Sequence, residues 1–254
     1  MHATALQSAE ISELARRRFL KDQREPLMFS DWINAAFIHF EADPQTLQRQ
    51  IPYELDLFEG KAYVSIVAFS IRRLRLAIGG HFGEWLFRPI GNHEFFNVRT
   101  YVRHGGRVGI FFMAEWLNNR LSVALGPRSY GLPYRFGELD YHQTPRGELH
   151  GHAKTRAGDF AYEARPLRRQ IDHCEPETLD QFLLERYTAF TWRHNIGRYF
   201  QIWHEPWSMV QLNVTIKDAA LLNTTGPWFE TAELAGANFS PGVRGIWMGA
   251  PYRI

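Results

Sequence analysis

The chain has 254 residues, 45% hydrophobic and 22% charged, with a net charge of +2, which excludes a disordered chain and a strongly basic nucleic-acid binder. Its single cysteine, Cys174, excludes an internal disulfide framework and a Cys-rich zinc site and fits a reducing compartment. No apolar run approaches the ~20 residues of a membrane span, and Glu10, Glu13 and Arg16-Arg17-Arg18 break up any signal-peptide core, so a cytoplasmic protein without membrane or nucleic-acid partners is expected.

Residues 8–22 read as a helix, with Ile11, Leu14, Ala15 and Phe19 as a partial apolar stripe, and Pro26 follows it. Residues 31–41 read as a strand. Asp43-Pro44 supplies an N-cap and a first-turn proline for a short helix that ends before Ile51-Pro52. Glu59-Gly60 turns the chain into a long strand over 62–76, and Gly79 to Gly83 reads as a loop. Residues 94–103 and 107–116 form the clearest hairpin, joined at His104-Gly105-Gly106. A short helix is expected over 117–125, stopped by Gly126-Pro127. Strands follow near 134–143, 148–156 and 158–165, with turns at Pro145-Arg146-Gly147 and Ala157-Gly158-Asp159. A helix near 176–187, strands near 188–193, 198–204 and 209–216, and a short strand over 244–248 complete the chain. The order predicts one α+β domain over 1–254, mainly antiparallel and strongly curved, with a few peripheral helices and an N-terminal helical extension over 1–27.

Five pieces, in order and spacing, carry a resemblance. They are Trp32 with its strand, Ile51-Pro52 ahead of Leu57 to Val64, Asn97-Val98-Arg99-Thr100-Tyr101-Val102, Gly109-Ile110-Phe111-Phe112, and Arg128 to Tyr134. Together they resemble the uncharacterised YqjF-like family within the acetoacetate-decarboxylase-like superfamily. The resemblance implies that fold. It also implies a site after Gly131-Leu132-Pro133, where the decarboxylases carry two lysines, the first forming a Schiff base with the substrate. Here Tyr134 and Arg135 follow. A phenol cannot form an imine, and a guanidinium is always protonated and a poor nucleophile. The chain's lysines, Lys21, Lys61, Lys154 and Lys217, all lie far from this turn in sequence. The resemblance therefore implies the scaffold without the Schiff-base reaction.

Tyr134, Arg135 and Glu94 are the candidate catalytic residues. The family carries a Glu two residues before the Asn of Asn97-Val98-Arg99, where this chain has Phe95, and a bulge between Glu94 and Asn97 would return Glu94 to the same face. Asn97, Arg99 and Tyr101 share one strand face and, with Arg128, are the candidate ligand contacts. Arg99 and Arg135 would hold a carboxylate; the competing reading of Arg99 is a structural ion pair with Glu115 or Glu138. His150 and His152 share a strand face with His142 or Asp140 nearby, but incidental surface histidines account for them, and neither a metal nor a cofactor is expected. Three readings stay open: an enzyme acting on a small carboxylate or carbonyl compound without imine chemistry, a non-catalytic binding or sensing module, and an interaction protein. A homo-oligomer is compatible with all three.

Overall fold

The computed structural model describes residues 6–78, 80–143 and 148–254. The expected turn at Pro145-Arg146-Gly147 lies outside them, as does Gly79. In chain order the elements are α1 (Ser8–Gln23), β1 (Met28–Ala42), α2 (Pro44–Gln48), β2 (Glu54–Leu55), β3 (Ala62–Leu76), α3 (Gly80–Phe87), β4 (His93–His104) and β5 (Arg107–Leu117). Then come α4 (Arg120–Ser129), β6 (Tyr134–Phe136), β7 (Glu138–His142), β8 (Leu149–Lys154), β9 (Asp159–Pro166), β10 (Asp172–His173) and α5 (Leu179–Leu184). The chain closes with β11 (Thr188–Arg193), β12 (Ile196–Trp203), β13 (Ser208–Asp218), α6 (Ala220–Asn223), β14 (Glu233–Met248) and β15 (Tyr252–Arg253).

The strands form one curved, largely antiparallel sheet that closes on itself. From β12 the pairing runs through β11, β5, β4, β3 and β1 to β14, and β14 returns to β12 through Met248 opposite Ile202 and Trp247 opposite Trp203. Two seams are parallel, β5 with β11 and β5 with β6. The other end of β14 pairs with β13, which continues into β9, β8 and β7. That outer sheet lies over the outside of the ring, so there are two cores. One fills the ring, with Phe37, Phe69, Phe95, Phe112 and Phe200. The other joins the outer face of the ring, with Ile38, Val64, Phe96 and Trp116, to Phe160, Tyr162 and Leu212 of the outer sheet. β3 and β4 are therefore covered on both faces, which accounts for the near-continuous apolar run from Ala62 to Ile71.

Two bulges re-phase the inner face. In β1 the register slips between Ile33 and Ala36, with Asn34 at φ 51°, so Trp32 and then Ala35 and Phe37 point inward. In β5 the register with β4 slips at Met113, since Val98 pairs with Ala114 but Arg99 pairs with Phe112. Ile110 and Phe112 face inward before the slip, and Glu115 faces inward after it.

Several elements differ from the sequence reading. Gly80 to Gly83 opens helix α3 rather than a loop; a Cβ on Gly83 would lie 2.8 Å from the Ile78 carbonyl oxygen, so that glycine marks a close approach. α4 starts three residues late, because Leu117 still belongs to β5 and the Asn119 side chain caps the helix by accepting from Ser122 N at 3.0 Å. It then runs through Gly126-Pro127 and ends before Gly131, which takes φ +72°. α5 is shorter than expected, because Thr178 caps it. The span 134–143 splits at Gly137 into β6 and β7. The C-terminal strand begins at Glu233 and carries Pro241 and Gly242 within it.

Candidate functional site

The ring encloses a cavity of about 50 Å³. Its walls are aromatic: Trp32 packs 6.4 Å from Trp207 and 5.3 Å from Phe69, and Phe95 meets Tyr134 edge-on at 5.4 Å, between ring centroids. Among these walls stand Asn97 and Arg99 from β4, Glu115 from β5 and Tyr134 from β6. Asn97, Arg99 and Glu115 are only 4%, 6% and 2% exposed. Four polar atoms of the lining are buried without a hydrogen-bond partner: Trp32 Nε1, Asn97 Oδ1, Arg99 Nε and Glu115 Oε2. Buried polar groups are otherwise satisfied in folded proteins, and each orphan costs roughly 1–3 kcal/mol.

Each side chain arrives by a local cause. Phe95, Asn97 and Arg99 alternate inward along β4, which pairs with β3 without a slip. Arg99 donates from Nη2 to the Leu183 carbonyl oxygen at 3.3 Å and lies over the Phe37 ring at 5.6 Å, leaving Nε free. Glu115 opposes Tyr134 directly across the parallel β5–β6 seam. Burial pushes the Glu115 carboxyl well above the usual carboxylate range. The Tyr134 phenol is likewise pushed up, by burial first and then by Glu115 and Tyr130. Burial favours the protonated form of each group, so the Tyr134 phenol keeps its proton at neutral pH and can donate a hydrogen bond into the cavity.

The other predicted residues lie elsewhere. Arg135 alternates outward from Tyr134, is exposed and sits over the outer face of Trp116 at 5.3 Å. β4 has no bulge between Glu94 and Asn97, so Glu94 faces away from the cavity; it pairs with Arg72 at 2.6 Å and accepts from Ser70 Oγ. Arg128 is exposed on the last turn of α4 and donates to the Ala124 carbonyl oxygen. Tyr101 shares the inward face of Arg99 but is spent on structure. Its hydroxyl donates to Ser65 Oγ at 2.6 Å, Ser65 to His39 Nδ1 at 2.7 Å, and His39 Nε2–H to Asn238 Oδ1 at 3.0 Å. That direction requires a neutral His39, and burial indeed holds its pKa down to about 3.

No lysine lines the cavity. Lys61 pairs with Glu41 and Lys217 with Glu163 at the surface, and Lys21 and Lys154 are exposed. His142 and His150 stack at 5.0 Å and His152 meets Asp159 at 3.2 Å; among the described residues no three potential metal ligands converge. The residue missed by sequence reasoning is Glu115, weighed there only as an ion-pair partner of Arg99. Its signal was an acid standing alone in the apolar run from Val108 to Leu117.

A model of DUF2071, described as an uncharacterized conserved protein, matches residues 30–244. The chain belongs to the DUF2071 family. This DUF2071 chain is 30% identical over 192 residues to the uncharacterized protein YqjF of Bacillus subtilis (strain 168), covering 71% of this chain and 74% of the relative. Its fold is that of the acetoacetate-decarboxylase-like enzymes. The enduracididine biosynthesis enzyme MppR complexed with pyruvate superposes with a TM-score of 0.61 at 14% identity, covering 90% of each chain. An acetoacetate decarboxylase-like enzyme from Sphingomonas wittichii RW1 gives 0.61 at 15%, over 91% of this chain and 94% of that one. The acetoacetate decarboxylase of Legionella pneumophila gives 0.58 at 15%, over 89% and 86%. Among the described residues no helix is long and apolar enough to cross a membrane.

Proposed function

We propose that the cavity binds a small carboxylate that also carries a carbonyl group, with Arg99 as the carboxylate anchor. The observation that supports this most is the set of orphaned polar atoms on one apolar cavity. Arg99 Nε and Trp32 Nε1 are hydrogen-bond donors without acceptors, which matches an anionic oxygen ligand. The phenol of Tyr134, beside the Glu115 carboxyl, suits a carbonyl oxygen. Size narrows the class. A water needs roughly 10–15 Å³ of such space, so the cavity suits ligands of two to four carbons without rearrangement of the walls. One structural neighbour is complexed with pyruvate, a compound of this class. The absence of lysine from the lining favours chemistry other than imine formation, or binding without turnover.

A thermal-shift series with glyoxylate, pyruvate, 2-oxobutyrate, lactate and acetaldehyde tests the reading, on the natural chain and on Arg99→Met. A ligand that binds only the folded state raises the melting temperature. The expected result is stabilisation by one or more oxo acids, lost in Arg99→Met. No shift with any compound, or an equal shift in the variant, overturns it.

A further inference from the structure

The buried acids separate into two kinds. Asp31 is held by Arg73 and by Gly245 N at 2.9 Å, and Glu185 accepts from Tyr187 Oη and Trp207 N. Glu115, the remaining buried acid among the described residues, keeps a carboxyl oxygen without a partner although it is the least exposed of the three. A carboxyl placed so without a cation contributes nothing to stability that an apolar residue would not. The fold nevertheless presents it to the cavity, through the bulge at Met113, and sets it beside Tyr134.

We propose that Glu115 is a catalytic residue that moves a proton on and off the carbon next to the carbonyl of a bound oxo acid, while the Tyr134 hydroxyl donates a hydrogen bond to the carbonyl oxygen. This rests on the ligand reading above. In its ionised form Glu115 takes the proton; the C–H electron pair becomes a C=C bond, and the carbonyl π pair moves onto the oxygen held by Tyr134. Protonated Glu115 then returns a proton to the same carbon. The keto–enol cycle closes with nothing oxidised or reduced and no co-reactant consumed. Burial supports the role, because it makes the carboxylate a stronger base than an exposed glutamate. The apolar walls support it too, since they leave the Tyr134 hydrogen bond little competition from water. Arg99 fixes the carboxylate end, which sets the carbon against one strand seam.

The test is loss of the C3 protons of pyruvate and 2-oxobutyrate in deuterium oxide, followed by proton NMR, alongside ligand-induced thermal shifts. The natural chain is expected to exchange these protons well above the buffer rate. Glu115→Gln is expected to lose about 100-fold or more of that rate while oxo acids still raise its melting temperature. Tyr134→Phe is expected to lose a smaller part. If Glu115→Gln does not fold, Glu115→Leu, which fills the same apolar surroundings, takes its place with the same expected loss. Exchange that persists in the Glu115 variant overturns the proposal. Binding without exchange by the natural chain also overturns it and leaves the ligand reading standing. Neither binding nor exchange overturns both.

Discussion

The Tyr134 ring occupies the space that a side chain at Gly126 would need: a Cβ there would stand 2.2 Å from Tyr134 Cε2. Gly126 and Pro127 read in sequence as the end of a helix, yet the helix continues through both. The glycine serves the neighbouring strand, allowing α4 to lie close enough to cover the ring.

Gly126→Ala is therefore expected to displace Tyr134 or α4 and to destabilise the chain by about 1–3 kcal/mol, as overpacking does. Urea denaturation measures the stability. The same variant should weaken the thermal shift with oxo acids; an unchanged midpoint and an unchanged shift would show that the contact yields freely.

Arg99→Met is expected to raise stability by roughly 1–3 kcal/mol while removing ligand stabilisation. The guanidinium is buried with a single hydrogen bond, to the Leu183 carbonyl oxygen. Replacing an uncompensated buried charge by an apolar chain of similar length removes a penalty. A lower denaturation midpoint in the variant would instead mark Arg99 as a structural member of the core.

Borohydride treatment with pyruvate or acetoacetate is expected to leave the natural chain without a covalent adduct by intact-mass measurement. Imine formation needs an amine beside the substrate, and the cavity lining has none. A stoichiometric adduct mapped to any lysine would contradict the placement of all four.

The pH profile of stability has an identifiable acidic contribution. Burial raises the Glu185 carboxyl from 4.5 to about 7, against the hydrogen bonds from Tyr187 and Trp207 that pull it down. The folded state then keeps a proton that the unfolded chain has already released, so this contribution is present below pH 4.5 and is lost as pH rises through about 7. Glu185→Gln should gain on the natural chain by on the order of 2–3 kcal/mol between about pH 5 and about pH 8. His39 acts in the opposite direction. Its pKa is depressed from 6.5 to about 3, so its contribution is lost as pH falls below 6.5. Urea midpoints of Glu185→Gln and the natural chain across this range check the first sign; a constant difference between them would refute it.

Features set by neighbouring residues were legible in the sequence. Asp43 caps α2 by accepting from Thr46 N at 2.7 Å, and the β4–β5 hairpin turns at Gly105 and Gly106, both at positive φ. The inward set of Asn97 and Arg99 followed from strand alternation alone. What was hidden depends on partners remote in sequence. A bulge belongs to a pair of strands, so neither the slip at Met113 nor the unbroken register at Glu94 can be read from one strand. The first brings Glu115 into the cavity and the second keeps Glu94 out. Tyr134 and Arg135 were both assigned to the site because the decarboxylases place a lysine pair there. The strand's period of two admits one and sends the other to the outer face of Trp116. The C-terminal strand is expected only over 244–248, but it begins at Glu233 and pairs along most of β1, with Pro241 and Gly242 inside it.

That last pairing sets an order of events during synthesis. β1 is finished when residue 42 leaves the ribosome, while its partner β14 is complete only after residue 248. The nascent chain thus carries an apolar strand with one open edge for some two hundred residues of elongation, at about 5–20 residues per second. An open strand edge recruits other chains. The ring closes only when β14 pairs with both β1 and β12, so roughly ten to forty seconds of synthesis separate the completion of β1 from that of its partner.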